Sequence, residues 1–171
     1  MTFKAAAVAN EFLRLSTGEG KEMTPLKLQK LVYFAHGWYL ALTGSALISE
    51  PVQAWRYGPV ISSLYREFRD YGNEPIVTPA AAFQMRKGKA SFIVERLDNS
   101  GADEQEIEKA RAVIGRVWQQ YGGYSAARLS NATHAPGSPW AQVYEEGRKN
   151  VTIPDDKIRT YFQSLANATT R

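Results

Sequence analysis

The stretch from Thr24 to Gly44 constrains the fold more than any other part of the chain. Leu28, Leu31, Val32, Ala35, Tyr39 and Leu42 recur at helical spacing along one face, and Phe34, Trp38 and Ala41 line a second. A helix that is apolar on two faces is not at home on a protein surface. It predicts a central, buried element around which the rest of the chain packs. Thr24 suits the N-cap and Pro25 the first helical position, where no intrahelical N–H bond is lost. The helix is predicted over 25–42, stopping before Gly44, with Lys27 and Lys30 on its narrow polar side.

The remaining pattern supplies partners for that helix. Ala5, Val8, Phe12 and Leu15 predict a helix over 4–16, ended by Gly18 and Gly20. Residues 52–57 alternate and are rich in aromatics, which predicts a short strand. Gly58-Pro59 is expected to end that strand and open a third helix, with Val60, Leu64 and Phe68 on one face and Tyr71-Gly72-Asn73 at its close. Between 72 and 102 two readings stand: strands over 83–86 and 91–96 forming a hairpin around Lys87-Gly88-Lys89, or a short helix over 79–86. Further helices are predicted over 103–121, 125–131 and 140–146, and after Pro154, the last with Ile158, Tyr161, Phe162 and Leu165 facing inward. The expected fold class is mainly α (α+β), a compact helical domain with a short β element or hairpin. The chain is read as one domain, 1–171, with a core of about 5–165 and a variable segment of about 78–102.

Function classes are narrowed by what is missing. The sequence has no cysteine and two histidines, His36 and His134, far apart. Disulfides, cysteine–zinc sites and thiol nucleophiles are excluded, and one histidine supplies no metal site. HExxH, Walker, GxGxxG and GxSxG patterns do not occur. The expectation is a chain that is not an enzyme, with no catalytic residue, metal or cofactor. No apolar run spans a bilayer and the N-terminus lacks a signal-peptide layout, so the chain is read as cytoplasmic, with no membrane partner. The net charge is +4, yet residues 1–75 hold eight Lys/Arg against seven Asp/Glu, and residues 76–171 thirteen against ten. The densest basic run, Arg86-Lys87-Gly88-Lys89, is followed closely by Asp103, Glu104, Glu106 and Glu108. Such a thin spread fits a solvated loop better than a phosphate-binding patch, and a nucleic-acid partner is not favoured.

Three blocks stand in order: Lys27-Leu28-Gln29-Lys30-Leu31-Val32-Tyr33-Phe34-Ala35-His36-Gly37-Trp38, then Ala54-Trp55-Arg56-Tyr57-Gly58-Pro59-Val60, then Thr133-His134-Ala135-Pro136-Gly137-Ser138-Pro139-Trp140. In these blocks the chain resembles the Panacea domain, also called the SocA-like or GepA-like phage-associated domain, over about residues 5–165. The resemblance implies a bacterial antitoxin of a toxin–antitoxin system that neutralises a toxin encoded nearby by direct protein–protein interaction. Some members pass the bound toxin to a protease, so the alternative reading is a proteolytic adaptor that delivers a bound partner to a protease. Others carry an added DNA-binding segment. A second alternative is a nucleic-acid-binding regulator using the basic residues of 86–89.

The marked residues have plainer readings too. Leu31, Tyr33, Phe34 and Trp38 are expected in the core. Lys27, Gln29 and Lys30 are read as solvated helix surface, with a satisfied polar network or an acidic-partner contact as alternatives. His36 is assigned to helix surface or core edge, and His134, near Thr133, Pro139 and Trp140, to a hydrogen-bonded anchor rather than a base. In the strand, Val52, Ala54 and Arg56 point one way and Gln53, Trp55 and Tyr57 the other. Arg56 makes the first side the wet one and assigns the buried side to Trp55 and Tyr57. Trp55, Arg56 and Tyr57 are nonetheless candidate partner contacts, aromatics and Arg being frequent interface anchors. The loop cations Arg86, Lys87 and Lys89 are candidates as well, in a segment where specificity can vary without harm to the core.

Overall fold

The computed structural model describes residues 1–148 and 150–169. Its helices are α1 (Ala5–Gly18), α2 (Pro25–Thr43), α3 (Ser62–Phe68), α4 (Glu104–Tyr121), α5 (Ala126–Thr133), α6 (Pro139–Val143) and α7 (Asp155–Thr169). Two antiparallel hairpins complete the α+β architecture: β1 (Val52–Trp55) with β2 (Gly58–Ile61), and β3 (Ala81–Arg86) with β4 (Lys89–Val94).

As the two-faced apolar pattern requires, α2 is the axis, with α7, α4, α5 and α1 packed around it. Thr24 caps its start by accepting a hydrogen bond from the Lys27 N–H, and Gly44, left-handed at φ 73°, ends it. Phe162 of α7 is fully buried against α2, edge-on to Tyr33, Phe34 and Trp38 at ring separations of 5.8, 5.9 and 5.3 Å. Gly37 makes that approach possible. A Cβ there would lie 2.2 Å from the Phe162 ring, so any side chain would push α7 away. The start of α1 is held from a distance: the Glu50 carboxylate accepts from the Ala5 N–H at 2.9 and 3.1 Å, placing negative charge at the positive end of the helix.

Several expectations change. Residues 52–57 are not one strand. The strand ends at Trp55, Arg56 and Tyr57 form the turn, and Gly58-Pro59 opens a second strand rather than a helix, which begins only at Ser62. The buried side is also the reverse of that expected. Val52 and Ala54 are buried and Tyr57 is 65% exposed, because Arg56 lies in the turn and so says nothing about which strand face is wet. Of the two readings for 72–102 the hairpin holds, with strands over 81–86 and 89–94 in place of 83–86 and 91–96, and the short helix over 79–86 does not form. Leu42 is exposed at the end of α2, and α6 stops at Val143. His36 lies wholly inside. Its Nδ1 accepts from the Ile48 N–H at 3.5 Å, which leaves the proton on Nε2 to be donated to Asp155 at 3.0 Å.

Candidate functional site

The site is built on the two-residue turn between β1 and β2. Register pairs Trp55 with Gly58, so Arg56 and Tyr57 form the tip and project outward. The Arg56 guanidinium lies 5.6 Å from the Tyr57 ring centre, and half-buried Trp55 meets exposed Tyr65 edge-on at 4.9 Å. On the other side, Trp140 stacks on Tyr144 at 4.5 Å and touches the His134 ring at 4.1 Å. The result is a cluster of aromatic side chains with one cation at its edge.

The backbone beneath that cluster is fixed carbonyl by carbonyl. Trp140 Nε1 donates to the Trp55 carbonyl at 2.7 Å, and Ser130 Oγ donates to the Tyr57 carbonyl at 3.0 Å. Lys30 Nζ donates to the Pro59 carbonyl at 2.9 Å. Gln29 completes the set: its Nε2 donates to the Ile61 carbonyl and its Oε1 accepts from the Ile61 N–H, both at 3.0 Å. The amide thus does for β2 what the backbone of a neighbouring strand would do. β1 is held on its outer side by residues 151–153, with the Ala54 N–H donating to the Val151 carbonyl and the Ile153 N–H to the Val52 carbonyl, each at 2.8 Å.

Gly58 is the keystone of this packing. It sits at φ +102°, and a Cβ there would lie 2.6 Å from Thr133 Oγ1, 2.8 Å from Lys30 Nζ and 3.4 Å from His134 Nε2. Only glycine lets the turn rest on these groups. Lys30 is fully buried, and burial pushes its ammonium down to about 7. His134 is lowered as well, by burial first and by the nearby Lys30 charge second. Its Nε2 is buried without a hydrogen-bond partner among the described residues, so the hydrogen bond expected of His134 is not made there and the ring is held by packing on Trp140.

The sequence blocks therefore meet in space. Gln29 and Lys30 from α2, Gly58 and Pro59 from β2, Thr133 and His134 at the end of α5, and Pro139 and Trp140 from α6 form one platform under the turn, buried except at half-buried His134 and Trp140. Gln29 and Lys30 are not solvated surface, as was expected first; they are the satisfied polar network. Lys27 stands apart, half-buried, donating to the Gly122 carbonyl at 2.6 Å beside Trp118. Tyr33 lies in the aromatic core around Phe162. Arg86, Lys87 and Lys89 are on the separate β3–β4 hairpin. Two contributors escaped the sequence reading. Ser130 was only one more polar residue of a short helix. Asn10 of α1, to which the sequence reading gives no role, is buried and grips the base of the second hairpin. An amide in line with apolar Ala6, Ala7 and Leu13 on the helix is the available signal.

The family model described as "Antitoxin SocA-like, Panacea domain" matches residues 28–141, a span that contains every member of the platform. The chain is 34% identical over 136 residues to Antitoxin SocA of Caulobacter vibrioides (strain NA1000 / CB15N), an alignment that covers 80% of this chain and 68% of that protein. No solved structure matches the chain significantly.

Proposed function

The chain belongs to the SocA-like Panacea-domain family, and from that premise we propose that it is an antitoxin neutralising a cognate protein toxin by direct stoichiometric binding. The observation that carries this reading is the pre-fixed turn. Tyr57 and Arg56 stand exposed while the carbonyls of Trp55, Tyr57 and Pro59 are each held by a side chain from another element. Binding through such a surface orders few new groups, so more of the contact energy appears as affinity. Aromatic and Arg anchors are the residue types that dominate interface energetics. Masking the toxin's working surface is the simplest mechanism and needs no catalytic step by this chain. A Kd near 1 nM corresponds to roughly −12 kcal/mol.

Trp55, Arg56 and Tyr57 are proposed as one contact region and Arg86, Lys87 and Lys89 as a second. Two charge-removing variants separate them: Arg56→Ala, and Arg86, Lys87 and Lys89 together to Ala. Each is tested for binding to, and growth rescue from, the toxic product of a gene beside this one. Loss in the first assigns the turn, and loss in the second assigns the hairpin. Unchanged binding and rescue in both, with the fold intact, removes both regions from the interface.

A further inference from the structure

The β3–β4 hairpin has a feature that its charges do not account for. Its register pairs Ala81 with Val94, Phe83 with Phe92, and Met85 with Ala90. Paired residues share a face and alternate along each strand, so one face of the hairpin is wholly apolar. On that face Phe83, Met85 and Phe92 are 59%, 62% and 75% exposed, with the two Phe rings edge-to-face at 5.6 Å. The strands pack chiefly on each other. A two-stranded ribbon standing alone is marginal in water, and a contiguous exposed apolar patch marks an interaction site.

The arm is nonetheless firmly mounted and has a defined tip. Buried Asn10 of α1 clamps its base, donating from Nδ2 to the carbonyls of Ala80 and Glu95 and accepting at Oδ1 from the Ala80 N–H, all at 2.8 Å. At the other end Lys87 and Gly88, at φ 50° and 73°, form a two-residue turn of the kind that matches strand twist. Lys87 lies in that turn, while Arg86 and Lys89 pair with each other beside it and so start from the face opposite Phe83 and Met85, where their long side chains reach round the tip; no carboxylate occurs between residues 81 and 94.

We propose that residues 81–94 are a docking arm for an acidic protein partner, whose apolar groove covers Phe83, Met85 and Phe92 while carboxylates on its rim meet Arg86, Lys87 and Lys89. The assignment rests on the antitoxin reading and takes that partner to be the toxin. Charge selects this occupant. A second copy of the chain brings the same cations and no carboxylate on its own arm. Duplex DNA would find positive charge at the tip alone, and the exposed aromatic face offers nothing that pairs with a phosphate or a base edge.

The test uses the full chain and, as probe, whichever product of a flanking gene arrests growth and is neutralised by the wild-type chain. Phe83→Ser/Phe92→Ser removes the apolar face, and R86E/K87E/K89E reverses the tip. Since these side chains are exposed, thermal melts of both variants should match wild type. The face variant is expected to weaken binding at least roughly 30-fold at both about 50 and about 300 mM salt, and the tip variant to lose most at the lower salt. If wild type neutralises the probe and both variants bind it as tightly, the arm is not the interface, although the antitoxin reading stands. If no flanking product is neutralised by wild type, that reading falls and the arm's assignment with it. A wild-type dimer split by the face variant, or tip-dependent binding to a short DNA duplex in place of the probe, would also overturn the proposal.

Discussion

Gln29 satisfies both backbone polar groups of Ile61, standing in for a strand that the two-stranded β1–β2 sheet lacks on that edge. Both partners are buried, so no water can replace the amide without the core opening. Gln29→Leu, of similar size, would leave the Ile61 N–H and carbonyl unpaired. Each buried orphan costs about 1–3 kcal/mol, so urea unfolding is expected to show a loss of about 2–6 kcal/mol. A loss below about 1 kcal/mol would show that the amide is not what holds β2.

Lys30 makes stability depend on pH with a definite sign. Its ammonium has a folded value of about 7 against an ordinary 10.5, so the unfolded chain binds more protons between the two. Stability therefore rises with pH through this window, with a slope approaching about 1.4 kcal/mol per pH unit, and below pH 7 the full cost of the buried charge is present. Half-buried Lys27, lowered chiefly by burial, adds in the same direction, and His134 does so at lower pH. Tyr33 is raised above its ordinary 10.0 by burial, which reverses the trend once the unfolded chain's tyrosines ionise. Urea midpoints should climb from pH 7 to about 9.5, and Lys30→Met should remove most of the climb. A flat wild-type profile, or an equal slope in Lys30→Met, contradicts the placement of this amine.

Gly58→Ala combines a strained backbone with a collision. The left-handed φ alone costs about 1–3 kcal/mol, and the new methyl would displace Lys30 Nζ or Thr133 Oγ1. A loss of at least about 2 kcal/mol is expected, together with faster hydrogen exchange of the turn amides. Wild-type stability and exchange in this variant would mean that the turn does not rest on the platform.

How much of this was legible in the sequence follows from the range of the interactions. The bounds of α2 were readable because Thr24, Pro25 and Gly44 act within a turn or two of themselves. The role of Gly58-Pro59 was not. Locally the pair is as compatible with a helix start as with a strand, and what makes it a strand is Gln29 and Lys30, about 30 residues earlier in the chain. The same distance hid the burial of Lys30, since a lysine on a helix reads as surface until a carbonyl is brought to it. Arg56 misled because a strand side was inferred from a residue that belongs to the turn. In the second hairpin the alternation of Phe83 and Met85 was present, but only pairing with β4 makes it one continuous apolar face.

Proteins passed on for destruction and proteins masked by binding differ in stoichiometry, which gives the most direct test of the central claim. The toxic product of a flanking gene is co-expressed with graded amounts of this chain while growth and both protein levels are followed, and the complex is then weighed by light scattering. Stoichiometric binding predicts that growth returns only as the chain approaches the toxin in amount, with the toxin level unchanged and a stable complex of fixed composition. Toxicity that persists at matched levels, or rescue by far less chain as the toxin disappears, would contradict it.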